Sequence, residues 1–179
     1  MSRPESSQPT ADDIEAIAIQ LGRRPRDVHA ISYRCPCGKP AVVATPSRLS
    51  DGTPFPTFYY ATCPRLTAAI STLETTGMMA EMESRLATDP AVAAQYAAAH
   101  QAYLADRAAL GMDVPEVEGI TAGGMPTRVK CLHSLVAHSL SAGPGVNPFG
   151  DEALAALPQW WVADPCELTD PDHPEAKAK

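Results

Sequence analysis

A change of sequence pattern near residue 64 most constrains how this 179-residue chain can fold. Before it, β-branched and aromatic residues fill three short runs, which turn-forming residues separate: residues 28–33, 41–45 and 58–62. Such side chains suit a pleated sheet, so the runs predict an antiparallel sheet of about three strands. After Pro64 the chain is rich in alanine, leucine, glutamate and methionine, which favour helix. The pattern therefore predicts an α+β fold, with the small sheet covered by about five helices.

Capping residues and helix breakers predict where the helices begin and end. A first helix is expected over Ala11–Leu21, because Thr10 can cap its start and Gly22 its end. Later helical runs are predicted at residues 66–76, 78–88, 91–110, 127–140 and 152–157. Residues 1–9 and 167–179 are polar and contain proline, which predicts a disordered lead-in and a disordered tail around one domain at residues 10–166.

The composition predicts where the protein is located and which classes of partner are disfavoured. The 14 basic residues are outnumbered by 21 acidic ones, and the net charge of -7 disfavours nucleic acid and anionic lipid. No stretch approaches the roughly 20 apolar residues of a membrane helix, and the first residues lack an apolar signal core. We therefore expect no membrane insertion and a cytoplasmic protein. In that reducing compartment the five cysteines are not expected to form a disulfide framework.

Four cysteines stand in turns or at the start of a helix, where thiolates can meet around a metal. Residues 34–38 read Arg-Cys-Pro-Cys-Gly, and residues 62–64 read Thr-Cys-Pro. If the third strand runs antiparallel to the second, its end returns to the edge of the sheet that carries the first motif. We predict one metal centre whose ligands are Cys35, Cys37, Cys63 and Cys131.

The kind of metal, and its presence, stay open at this point. A proline directly follows Cys35 and Cys63, as in ferredoxin-like sites, and this favours an iron–sulfur cluster slightly over zinc. A free cysteine can also fill a core as a small hydrophobe, and for the isolated Cys166 that is the expectation. A redox pair of Cys35 and Cys37 is a third alternative, although so tight a disulfide loop would be strained.

A second candidate site lies at residues 122–133, Ala-Gly-Gly-Met-Pro-Thr-Arg-Val-Lys-Cys-Leu-His. Glycines before a helix leave backbone N–H groups for an anion, and the helix dipole and basic side chains add positive potential. The residues predicted to bind a small anionic or phosphorylated ligand are Gly123, Gly124, Arg128, Lys130 and His133. The alternative is a glycine hinge that leads into a helix with solvated basic residues. His138 shares a helix face with Cys131, which makes it a further candidate.

Four motifs together resemble a known family. They are residues 34–43, Arg-Cys-Pro-Cys-Gly-Lys-Pro-Ala-Val-Val; residues 59–64, Tyr-Tyr-Ala-Thr-Cys-Pro; residues 122–133 as above; and residues 143–151, Gly-Pro-Gly-Val-Asn-Pro-Phe-Gly-Asp. Across roughly residues 13–166 the chain resembles an uncharacterised, mainly actinobacterial family known as domain of unknown function 501. The resemblance implies no reaction. It implies genes that neighbour a septum-formation initiator and an exopolyphosphatase, and cysteines at positions 35, 37, 63 and 131.

Two functions follow from these observations. The first is a cysteine-ligated metal protein with a small-anion pocket, whose reaction and catalytic residues the sequence does not identify. The alternative is a non-catalytic interaction protein, linked to cell division and carrying structural zinc or no metal, whose helices offer a surface to a protein partner. The sequence leaves open whether the protein is an enzyme.

Overall fold

The computed structural model describes residues 4–111, 114–162 and 166, and within them a three-stranded sheet and six α-helices. The elements in chain order are α1 (Ala11–Leu21), β1 (Ala30–Arg34), β2 (Pro40–Ala44), β3 (Tyr59–Ala61), α2 (Pro64–Glu74), α3 (Met78–Thr88), α4 (Pro90–Ala108), a short 3-10 helix (Pro115–Val117), α5 (Leu132–Ala142) and α6 (Pro148–Ala156). This architecture confirms the predicted α+β fold.

The sheet is antiparallel in the order β1-β2-β3, and every residue of its central strand β2 is buried. Side chains alternate across a strand, so each face of the sheet has its own core. On one face Ile31 and Val43 pack with Ile17 of α1. On the opposite face Val42 and Tyr59 belong to the main core, which contains residues of the other five helices. The sheet therefore lies between α1 and a thicker helical layer.

Helix α5 is the centre of that layer, and all of its residues from Leu135 onwards are buried. Helix α6 packs on it so closely that a Cβ added to Gly150 would lie 2.2 Å from the carbonyl oxygen of Leu135. Only glycine permits this approach of two helix backbones. The N-terminal end of α5, which carries the candidate site residues, is thereby fixed against the body of the domain.

Two helices, α5 and α6, begin well away from their predicted starts. Residues 126–130 are not helical, because the chain closes a turn on itself there: Arg128 N–H donates to Gly124 O at 2.9 Å and Lys130 N–H to Gly123 O at 2.8 Å. Helix α6 begins at Pro148, earlier than predicted, because the Asn147 side chain accepts the Gly150 N–H at 3.0 Å and so caps the helix.

The termini are described only in part. Within the predicted lead-in at residues 1–9, Ser7 exchanges two backbone hydrogen bonds with Ile31, of 3.0 and 2.8 Å. The predicted tail at residues 167–179 lies outside the described residues. Among the described helices, none is long and apolar enough to cross a membrane.

Candidate metal centre and a second cysteine site

Three thiols meet where the β1–β2 turn faces the last described residue. The sulfur atoms of Cys35, Cys37 and Cys166 all lie within 4.8 Å of one another, and the Sγ atoms of Cys35 and Cys166 are 3.3 Å apart. All three are free cysteines; Cys35 and Cys166 are buried and Cys37 is exposed. A tetrahedral ion with sulfur ligands at about 2.3 Å separates those sulfurs by about 3.8 Å. The cluster is therefore compact enough to hold a metal ion.

The turn itself arranges two of the thiols. Gly38 N–H donates to Cys35 O at 2.8 Å, and Cys35 N–H donates to Lys39 O at 2.9 Å. Gly38 has a φ of 87°, a conformation that glycine adopts without strain. The Cys37 N–H donates to the Cys35 sulfur and the Lys39 N–H to the Cys37 sulfur. Such N–H donors stabilise negative charge on sulfur, so the backbone is already suited to bound thiolates.

The pKa values of the three thiols in the cluster are shifted in different directions. Burial raises the pKa of Cys35 and that of Cys166, since a charged thiolate is disfavoured away from water. Burial also acts to raise the pKa of Cys37, but hydrogen bonds from the Lys39 backbone and from the two neighbouring cysteines outweigh it, and this pKa is lowered. Within one cluster the pKa of Cys37 is therefore lowered, while those of Cys35 and Cys166 are raised.

Gln20 holds Cys166 in place. Its Nε2 donates to Pro40 O at 2.8 Å and to Cys166 O at 2.9 Å, which ties the C-terminal segment to the start of β2. Cys166 is buried in the core, as expected, but the expectation that it is isolated is corrected, because its thiol belongs to the cluster. No local pattern could reveal this, since Gln20 and Cys166 are 146 residues apart.

Cys63 lies against the cluster. It is fully buried, precedes the first residue of α2, and its thiol interacts with that of Cys166. It is not a member of the group of three whose sulfurs all lie within 4.8 Å of one another. The positive end of the α2 dipole points towards this position.

Cys131 belongs to a second cluster, with Glu74 and His133, and does not join Cys35 and Cys37. Helix α5 begins beside α2, and Glu74 Oε1 accepts the Leu132 N–H at 2.7 Å and lies 3.2 Å from His133 Nδ1. These contacts hold Cys131 along the side of α2, whereas Cys63 stands before its first residue. The prediction that groups Cys131 with the other thiols is therefore corrected.

In this second cluster both neighbours of His133 favour its charged form. A hydrogen bond with Cys131 and the negative charge of Glu74 raise the pKa of His133 to about 9, although burial opposes the rise. Burial acts to raise the pKa of Cys131, but hydrogen bonds from His133 and Ser134 outweigh it and lower that pKa. The geometry favours a thiolate beside an imidazolium.

The predicted anion loop meets carboxylates of the chain itself. Arg128 Nε lies 3.8 Å from Glu83 Oε1, and the same oxygen accepts the Val129 N–H at 3.2 Å. Gly123, Gly124, Arg128 and Lys130 share one closed turn, while His133 lies on α5 against Glu74. The binding of an external anion by these five residues stays a prediction.

His138 is a core residue. Its Nδ1 accepts a hydrogen bond from Asn147 Nδ2 at 3.2 Å, and its ring stacks on the ring of Tyr59, with 5.8 Å between the ring centroids. It is fully buried and belongs to neither of the two cysteine clusters.

The fold and the thiol cluster define an α+β domain with a cysteine site able to hold a metal. Residues 31–155 match the family described as "Protein of unknown function (DUF501)", and the chain belongs to this family. No curated protein and no solved structure matches the chain. The matched range contains Cys35, Cys37, Cys63 and Cys131, and Cys166 lies beyond its end.

Proposed function

We propose that the protein binds one structural zinc ion, with Cys35, Cys37, Cys63 and Cys166 as its ligands. The 3.3 Å between the sulfurs of Cys35 and Cys166, in a group of three thiols within 4.8 Å, carries the proposal. Cys63 is the proposed fourth ligand because its thiol interacts with that of Cys166.

The spacing of the sulfurs supports a single ion over an iron–sulfur cubane. Around one zinc the sulfurs stand about 3.8 Å apart, given a Zn–S distance near 2.3 Å. In a cubane each cysteine binds a different iron at the corner of the cluster, so the ligand sulfurs stand farther apart. The close approach of Cys35 and Cys166 fits the smaller arrangement. A tetrahedral set of four sulfurs suits zinc as a structural site, although iron–sulfur centres use the same ligands.

Charge compensation also supports thiolate ligands. Four thiolates around Zn²⁺ carry a net charge of about −2, which follows from the charges of the ligands and the ion. Backbone N–H groups of Cys37, Lys39 and Cys166 point at the sulfurs and offset part of it. The helix dipole at the start of α2 acts on Cys63 in the same sense.

The site has the features of a structural centre. Four protein ligands leave zinc no open position for a substrate, and such closed sites contribute to folding. The proposed ligands come from the β1–β2 turn, the start of α2 and the C-terminal segment, which the ion would join. This favours the interaction protein with structural zinc over a metal-dependent reaction.

Metal analysis of protein purified without oxygen, together with its absorption spectrum, tests the proposal. The expected result is one zinc per chain and no visible chromophore. A brown protein that contains iron and sulfide would contradict zinc and support the iron–sulfur alternative. A metal-free protein in which all five cysteines react with a thiol reagent would contradict any metal centre.

A further inference from the structure

The second cluster stands beside a cavity that the metal centre does not share. Cys131, His133 and Glu74 bring a sulfur, an imidazole nitrogen and a carboxylate oxygen within 4.8 Å of one another. The cavity has a volume of about 290 Å³, and its lining includes Cys131, His133, Thr57, Thr67 and Tyr60. A small molecule in this cavity would meet the Cys131 side chain, which is only partly buried.

Hydrogen-bond geometry assigns the protonation state of His133. Its Nδ1 lies 3.2 Å from a carboxylate oxygen of Glu74, and its Nε2 lies 3.2 Å from the backbone carbonyl oxygen of Thr67. Both oxygens only accept hydrogen bonds at neutral pH, which favours a proton on each ring nitrogen, and Ser71 Oγ, 3.4 Å from Nε2, can accept from the same N–H. His133 is therefore an imidazolium, in agreement with its raised pKa of about 9.

Three features stabilise a thiolate at Cys131. The positive charge of the His133 imidazolium lies beside the Cys131 sulfur, and the Ser134 N–H donates a hydrogen bond to that sulfur. Cys131 also directly precedes α5, where the helix dipole favours negative charge. Glu74 of α2 opposes ionisation by its own charge, but it also holds the imidazolium in place. From β3, Tyr59 and Tyr60 also line the cavity.

We propose that Cys131 is a nucleophilic thiolate that reacts with small, uncharged electrophiles entering this cavity. The sulfur supplies the electron pair of a new S–C bond, and the leaving group departs with the pair of the bond that breaks. The ionised form of the sulfur is the attacking species, so the step itself needs no general base. His133 is a positioning residue that stabilises the thiolate; it is not a general base, since neither ring nitrogen offers a lone pair.

The same contacts argue against a second metal site. A histidine ligand binds metal through a deprotonated nitrogen, and both nitrogens of His133 face acceptors. With one imidazolium between a thiolate and a carboxylate, the cluster has a net charge of −1. Negative charge repels anionic reagents, which is why the proposed substrates are uncharged.

Alkylation of the full, metal-loaded chain tests the proposal with two probes that share iodide as leaving group, neutral iodoacetamide and anionic iodoacetate. Fragment mass spectrometry reads the modified fraction of Cys131 alone, across pH 5 to 10. In the wild type we expect the alkylation rate to depend on an apparent pKa at least one unit below the ordinary cysteine value of about 8.5. We also expect the ratio of the iodoacetamide rate to the iodoacetate rate to be at least fivefold larger at Cys131 than with free cysteine.

A matched pair of variants separates the ion pair from general effects on the fold. In His133→Asn the apparent pKa is expected to rise by at least one unit, whereas His29→Asn, which alters a histidine before β1, should leave it unchanged. If the apparent pKa of Cys131 in the wild type were the ordinary cysteine value, the proposal would be overturned, even if His133→Asn failed to fold. An unchanged pKa in folded His133→Asn would also overturn it. A second bound zinc that must be chelated before Cys131 reacts would overturn it in favour of a metal site.

Discussion

Replacing Gln20 by leucine tests how the structure brings Cys166 to the other thiols. The change keeps a side chain of similar size but removes both hydrogen bonds of Nε2, to Pro40 O at 2.8 Å and to Cys166 O at 2.9 Å. A net value of about 1 kcal/mol for each bond gives a loss of about 2 kcal/mol in the free energy of unfolding. Only the second bond holds a proposed ligand, so zinc affinity should fall by about 1 kcal/mol, or about fivefold.

Competition with a chromophoric chelator measures the affinity, and urea denaturation of the chelated protein measures the stability. Ser141→Ala is the matched control, because it removes the buried bond of 2.9 Å from Ser141 Oγ to Ser32 Oγ. The control should lose about 1 kcal/mol of stability and keep the wild-type zinc affinity. If Gln20→Leu bound zinc as tightly as the wild type, the reasoning that this contact positions a ligand would be refuted.

Three further predictions follow from other contacts. Gly150→Ala should destabilise the fold by about 3 kcal/mol in urea denaturation, because its Cβ would meet the Leu135 carbonyl at 2.2 Å; a loss under 1 kcal/mol would contradict the close helix contact. Asp13→Asn should cost about 1 kcal/mol at pH 7, since Arg34 is partly exposed. Hydrogen bonds from Arg34 hold the pKa of Asp13 below its ordinary value of 3.8. The stability that this ion pair contributes is fully present above pH 3.8 and is lost as the pH falls towards the lower pKa of Asp13 in the folded protein. The cost of Asp13→Asn should therefore be smaller at pH 3 than at pH 7, and an equal cost at both pH values would contradict this role of Arg34. If the anion loop binds external ligands, Arg128→Glu should weaken phosphate binding in calorimetry at least tenfold, and unchanged binding would remove that prediction.

The parts of the fold that local sequence determines could be predicted. The bounds of α1 and α3 agree with their caps and breakers, and the three β-rich runs form the antiparallel sheet. The start of α5 was placed too early, because a helical pattern and Pro126 do not reveal that residues 123–130 close a turn on themselves. Such a turn depends on backbone contacts that side-chain periodicity does not encode.

The candidate site was predictable only where its parts are close in sequence. Cys35 and Cys37 share one turn, and strand direction brings the end of β3 back towards it. The membership of Cys166 depends on Gln20, a contact between distant parts of the chain. Cys131 directly precedes α5, and the sequence could not show that this end of the helix faces Glu74.

Zinc content of two single-cysteine variants tests the central claim most directly. Cys166→Ser and Cys131→Ser make the same chemical change, and both proteins would be purified without oxygen and analysed beside the wild type. The account predicts that Cys131→Ser retains one zinc per chain, while Cys166→Ser loses the ion or binds it at least a hundredfold more weakly. The reverse result, with zinc lost from Cys131→Ser and retained by Cys166→Ser, would contradict it.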